Sequence, residues 1–160
     1  MLILLILEIQ FNPTTMKNRL FPILLIFTCI FLSLKINAQT NSSKIDSLIK
    51  VKTELKSDTA IVNILIEISE VYKDENNLQD AEKYAFEALE LAENIKFKKG
   101  IGFSYKQLGR AFSKQRNDSL SLEYYTKAIE IFDKISNKKQ KAYCFTNMAY
   151  IYFNNEEYKQ

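Results

Sequence analysis

Lys106 and Arg110 stand four residues apart, so on a helix both cations project from one face. Together they can grip a carboxylate through charge-assisted hydrogen bonds. Solubilising the helix explains two basic residues equally well. Little else in the 160 residues is suited to chemistry. There is no histidine, which removes the commonest acid-base group, metal ligand and phosphoacceptor together. The sequence has no Ser-His-Asp set, no phosphate-cradling glycine loop and no metal-ligand cluster. The acidic pairs Glu67/Glu70 and Glu87/Glu90 fall on amphipathic stretches and read as solvated faces rather than catalytic carboxylates. Cys29 and Cys144 are too few for a disulfide framework and wrongly spaced for zinc. Cys144, set among aromatics, reads as a small core residue. The inventory points to a non-enzymatic protein needing no cofactor and no metal.

The elements that must position Lys106 and Arg110 are helices. Both prolines, Pro13 and Pro22, lie near the start, and only Gly100, Gly102 and Gly109 supply glycine. A sheet-rich domain needs turn residues far more often. Sliding the sequence against itself reveals a period of forty. Leu65 to Tyr72 aligns with Tyr105 to Phe112 and again with Phe145 to Tyr152, while Asp80 to Leu91 aligns with Leu120 to Ile131. Each unit reads as two antiparallel helices. Ile61, Leu65, Ile68 and Tyr72 form an apolar stripe of helical period, with Asp58 as N-cap and residues 74–77 as the turn. The returning helix carries Ala81, Ala85, Ala88, Leu89 and Ala92. In the second unit Gly100 ends one helix, and Asn117-Asp118-Ser119 cap another. The small residues at 69/109/149 and 81/121 suit close helix crossings.

This arrangement resembles the tetratricopeptide repeat family, through Tyr105, Leu108-Gly109, Phe112, Tyr125 and Ala128 in the second unit. In the first unit the likeness is carried by Leu65, Ile68, Tyr72, Ala81, Tyr84 and Ala88, and in the third by Phe145, Met148-Ala149 and Tyr152. Glu93 and Asp133 stand where the family often has proline, and forty exceeds its usual period of about 34. Both departures are similar to an extended class found in bacterial sensory proteins. The resemblance implies an all-α, right-handed superhelical solenoid of antiparallel helix pairs. Its units fall at 58–97 and 98–137, with a truncated third at 138–160 and a linker and capping helix (Ile45, Leu48, Ile49, Leu55) over 39–57. It also implies a concave groove lined by first helices, here Asn63, Ile66, Glu70 and Lys73, then Phe103, Lys106, Arg110 and Ser113, then Tyr143, Asn147, Tyr150 and Phe153. A protein or peptide would bind there. Asn147 would join Lys106 and Arg110 in a carboxylate clamp similar to one some family members use, although an Arg stands where that clamp prefers Asn. Tyr143 and Tyr150 are candidate groove aromatics, and packing against a further helix explains Tyr150 and Phe153 equally well.

The first 38 residues read as an address. Lys17 and Arg19 precede an apolar core from Leu20 to Leu34, and Ala38 stands at a plausible cleavage position, the layout of a secretory signal peptide. The core is shorter than the roughly 20 residues that span a bilayer. Membrane attachment would therefore arise only through an uncleaved leader. Residues 1–15 fit no such plan and suggest initiation at Met16. Removing Lys17, Arg19 and Lys35 together with Glu8 lowers the formal charge from +3 to +1, too little to attract nucleic acid. The aromatic run from Tyr143 to Phe153 lacks a cover, which a partner copy or a continuing gene would supply. The expected function is a non-enzymatic, exported protein- or peptide-binding scaffold, read as a fragment of a longer protein. The alternative is the sensory front of a bacterial histidine kinase or DNA-binding regulator without its output domain.

Overall fold

The computed structural model describes residues 43–157; the leader at 1–38 lies outside them. Among the described residues there are six helices and no strand: α1 (43–54), α2 (Asp58–Asp74), α3 (Leu78–Asn94), α4 (Lys98–Lys114), α5 (Asp118–Lys134) and α6 (Lys138–Glu157). This is an all-α helical repeat solenoid, in which α2/α3 and α4/α5 are successive antiparallel pairs and α6 begins a third.

Four turns of one design set the period. Helices α2 to α5 each have 17 residues, and each is followed by a three-residue turn. The second turn residue is left-handed in every case: Asn76 (φ 62°), Lys96 (55°), Arg116 (62°) and Ser136 (54°). The amide of the third then reaches back to the preceding helix, Asn77 to the Tyr72 carbonyl, Phe97 to Ala92, Asn117 to Phe112 and Asn137 to Phe132, at 2.8–2.9 Å. These bonds satisfy carbonyls that the helix end would otherwise orphan. Three of the third residues also cap the next helix. The Asn77, Asn117 and Asn137 side chains accept from the amides of Asp80, Leu120 and Gln140.

Two boundaries differ from the sequence expectation. Asp58 is the first helical residue of α2, and Ser57 is its N-cap. Gly100 does not end a helix; it lies in the first turn of α4, where an added Cβ would meet Val62 Cγ1 at 2.8 Å and Ala92 Cβ at 3.1 Å. Glycine is there for close approach, and Lys96 makes the turn.

The core passes from each helix to the next. Ile45 and Leu48 seat α1 on Ile68 and Val71 of α2, each burial contributing roughly 1.5–3 kcal/mol. Val62, Leu65 and Ile66 pack with Ala88 and Ala92, while Ala85 and Leu89 pack with Leu108 and Phe112. Tyr125, Ala128 and Phe132 of α5 enclose Cys144 and Ile151 of α6. The small residues do mark crossings. Ser69 Oγ donates to the Ala81 carbonyl at 2.7 Å, and Ser121 Oγ to the Gly109 carbonyl at 2.8 Å. Gly109 is required, because a Cβ there would lie 2.9 Å from the Tyr125 ring. Tyr84 is the counterpart of Tyr124, as the alignment of 80–91 with 120–131 requires. Both stack on the preceding helix, Tyr84 on Tyr72 and Tyr124 on Phe112, with ring centroids 5.4 Å apart. The buried place of Tyr125 is filled one period earlier by Ala85, which is also fully buried.

Candidate protein-binding face

Helices α2, α4 and α6 are linked side by side through their polar residues. Arg110 of α4 donates to Glu70 Oε1 of α2 at 2.6 Å and to Gln107 Oε1 at 3.0 Å. Lys114 Nζ donates to the Lys73 carbonyl at 3.0 Å. On the other side, Lys106 Nζ donates to Gln140 Oε1 of α6 at 2.9 Å. The Lys106 ammonium also lies over two rings, 4.5 Å from the centre of Phe103 and 5.2 Å from that of Tyr143. The Arg110 guanidinium lies 5.9 Å from the Tyr143 ring centre. Such contacts favour a cation on an aromatic face.

Lys106 and Arg110 are thus brought together, but not as an open clamp. Arg110 already holds an internal carboxylate. Burial pushes the Glu70 carboxyl up, yet the hydrogen bond and charge of Arg110 outweigh it and hold Glu70 below its ordinary value. Glu70 is therefore more than part of a solvated acidic face. Lys106 is only 9% exposed. Burial, with the neighbouring Arg110 charge, lowers its pKa despite the opposing effect of Glu70. Ile66 and Lys73, also expected in the groove, are buried as well.

Asn147 does not join them. Its amide donates at 2.8 Å to the Tyr143 carbonyl, one turn back on its own helix. Tyr143 does join, as the ring beneath both cations. Tyr150 does not reach that cluster; it is 64% exposed and lines a pocket with Ser113 and Lys114. The partners missing from the sequence reading are Gln107 and Gln140, with Glu70 as the mate of Arg110. The signal for the last was present, since Glu70 and Arg110 are one repeat period apart. Neutral glutamines give no comparable signal.

Repeat register divides the exposed aromatics of α6 into two stripes. Tyr143, Tyr150 and Phe153 correspond to Phe103, Arg110 and Ser113, on the side shared with α2 and α4. Phe145 and Tyr152 correspond to Tyr105 and Phe112, the positions that α5 covers through Tyr124 in the second unit. Phe145 is 50% exposed and Tyr152 is 54% exposed. In the second unit the positions matching Phe145 and Tyr152 pack against the following helix, whereas Arg110, which matches Tyr150, bonds to α2.

Cys144 is fully buried, and burial pushes its thiol up to about 11 despite the Lys106 charge. A thiol so held is a core residue rather than a nucleophile. Among the described residues no group of three His, Cys, Asp or Glu side chains is placed to hold a metal, and no helix is long and apolar enough to cross a membrane. The family model described as tetratricopeptide repeat matches residues 60–134. No curated protein matches the chain.

Proposed function

Because residues 60–134 place this chain in the tetratricopeptide repeat family, a family of generally non-enzymatic interaction scaffolds, we propose that it binds an extended protein segment along the face of α2, α4 and α6. The observation carrying this reading is the pairing of exposed Tyr143, Tyr150 and Phe153 on α6 with the cationic row Lys106, Arg110 and Lys114 on α4. Tyr, Phe and Arg are among the residue types enriched at protein-binding surfaces. Lys106 and Arg110 contribute by fixing Tyr143, and Asn147 is not part of the reading.

The test is capture of binding proteins by the wild-type chain and by a Tyr150→Ser, Phe153→Ser variant. Both residues are well exposed, so the variant is expected to keep its helical circular dichroism while losing at least about tenfold in partner recovery. Undiminished recovery, or loss only with Phe145→Ser and Tyr152→Ser, would place binding elsewhere.

The scaffold is further proposed to act outside the cytoplasm. Lys17, Arg19, the apolar core and Ala38 support a cleaved leader. Sequencing the amino terminus of the protein from its native cells is expected to begin at Gln39. An intact leader on the mature protein would sink this part of the proposal.

A further inference from the structure

The stripe of α6 marked by Phe145 and Tyr152 carries both halves of the contact that closes α4 onto α5. In the second unit two small residues on α4 face two rings on α5, in antiparallel order. A Cβ on Gly102 would lie 2.9 Å from the Phe132 ring, and one on Gly109 would lie 2.9 Å from the Tyr125 ring. Small pair and ring pair have the same spacing along their helices. One period later the small pair recurs on α6 as Ala142 and Ala149, and both are exposed. Phe145 and Tyr152, half-exposed rings of that same spacing, alternate with them. The order Ala142, Phe145, Ala149, Tyr152 steps by three, four and three residues, which puts all four on one seam of the helix.

We infer that the chain pairs with a second copy of itself through this seam, the two α6 helices running antiparallel about a two-fold axis. Setting Phe145 against Ala149 of the second copy brings Tyr152 against Ala142 of that copy, and the symmetry repeats both contacts. Each ring then meets a small residue, as Tyr125 and Phe132 do inside the second unit. The place for Tyr152 is already hollow. A cavity of about 420 Å³ lies beside Ala142, lined by Phe132, Lys138, Lys141 and Phe145, whereas the matching space over Gly102 is filled by Ile131 and Phe132. Asp133 and Ser136 also line it and offer partners to a tyrosine hydroxyl. Charge selects the direction. The sequence of α6 opens with Lys138-Lys139 and closes with Glu156-Glu157, so antiparallel copies bring opposite charges together and parallel copies bring like charges together. The interface is small: each half-exposed ring brings roughly 100 Å², which puts the dimer at the weak end of the interface range. The seam is separate from the stripe of Tyr143, Tyr150 and Phe153, so the pairing does not depend on the proposed binding face.

Sedimentation equilibrium of the full chain, as recovered from its native cells, tests the pairing from micromolar to millimolar concentration. A monomer–dimer equilibrium is expected, with Kd on the order of 50 µM. Ala149→Arg sets a bulky cation in the seam at an exposed position, so it should keep the helical circular dichroism and raise Kd at least about tenfold. Phe145→Ser with Tyr152→Ser should weaken pairing by at least the same factor. The register is read separately by mixing an Ala149→Cys chain with a Phe145→Cys chain. Under mild oxidation the mixture should form more disulfide-linked dimer than either variant alone, because only the antiparallel register brings those two positions together. A chain that stays monomeric to millimolar concentration would overturn the inference, the seam then being covered by another segment of the polypeptide or by a different partner. A dimer indifferent to both seam variants, or one that links each cysteine variant to itself rather than to the other, would overturn it as well.

Discussion

The first and second helix pairs share one backbone design and solve its tightest crossing differently. In the first, the crossing holds Ser69 on α2 and fully buried Ala85 on α3; in the second, the same positions hold Gly109 and fully buried Tyr125. The larger ring is accommodated only because Gly109 lacks a Cβ. The hydroxyl changes sides as well: Ser69 of α2 donates to α3, whereas Ser121 of α5 donates to α4. What the repeat preserves is a close helix crossing and one buried hydrogen bond, not the residue at either position. The Tyr125 hydroxyl adds a difference of its own, being buried without a hydrogen-bond partner among the described residues. Burial accordingly pushes its pKa up.

The strongest way to break this comparison is to move one solution into the other unit. Tyr125→Ala should destabilise the chain by about 3–5 kcal/mol, the range for removing a buried aromatic side chain. Gly109→Ser alone should also destabilise, by roughly 1–3 kcal/mol, because its Cβ would press on the ring. Combined, the two changes recreate the Ser/Ala pair of the first unit. The double variant should then be more stable than the sum of the single losses predicts, by about 0.5–3 kcal/mol of coupling. Urea unfolding of the four proteins measures this directly. Additive losses would mean that Gly109 and Tyr125 are not a compensating pair.

The same compensation explains which parts of the structure were legible in the sequence. Helical stripes such as Ile61, Leu65, Ile68 and Tyr72 are repeated signals of burial, so helix existence and the forty-residue period could be read directly. Tyr84 and Tyr124 hold the same register, whereas the counterpart of Tyr125 is Ala85. The turns were located, but not their design. Asn76 readily adopts a left-handed conformation, whereas Lys96, Arg116 and Ser136 occupy it where glycine is the usual residue. Gly100 drew attention for a turn that Lys96 makes. At the binding face, Lys106 and Arg110 were found by their spacing, but their engagement with Gln140 and Glu70 depends on how neighbouring helices pack. That information is absent from any one helix. Asn147 failed for the opposite reason: a local bond to its own backbone captured the side chain.

A smaller effect sharpens the contrast between the units at a position where burial is matched but chemistry is not. Ile66 and Lys106 are one period apart, and each is 9% exposed. The first unit buries an aliphatic side chain there; the second buries an ammonium whose hydrogen-bond acceptor is the neutral Gln140. A buried charge without a carboxylate partner carries a desolvation cost that its Phe103 and Tyr143 contacts only partly offset. Lys106→Met keeps most of the apolar stem and removes the charge. It should stabilise the chain by about 1 kcal/mol while loosening the hold on Tyr143. The pH dependence gives an independent check. Because Lys106 titrates below the ordinary lysine value when folded, the unfolded chain binds more protons between those two values. Its contribution to stability therefore rises as pH increases through that window, and Lys106→Met should remove this rise. Urea unfolding at neutral and alkaline pH would reveal both effects. A variant less stable at neutral pH, with an unchanged alkaline profile, would mean that the aromatic cage and Gln140 fully compensate the buried ammonium.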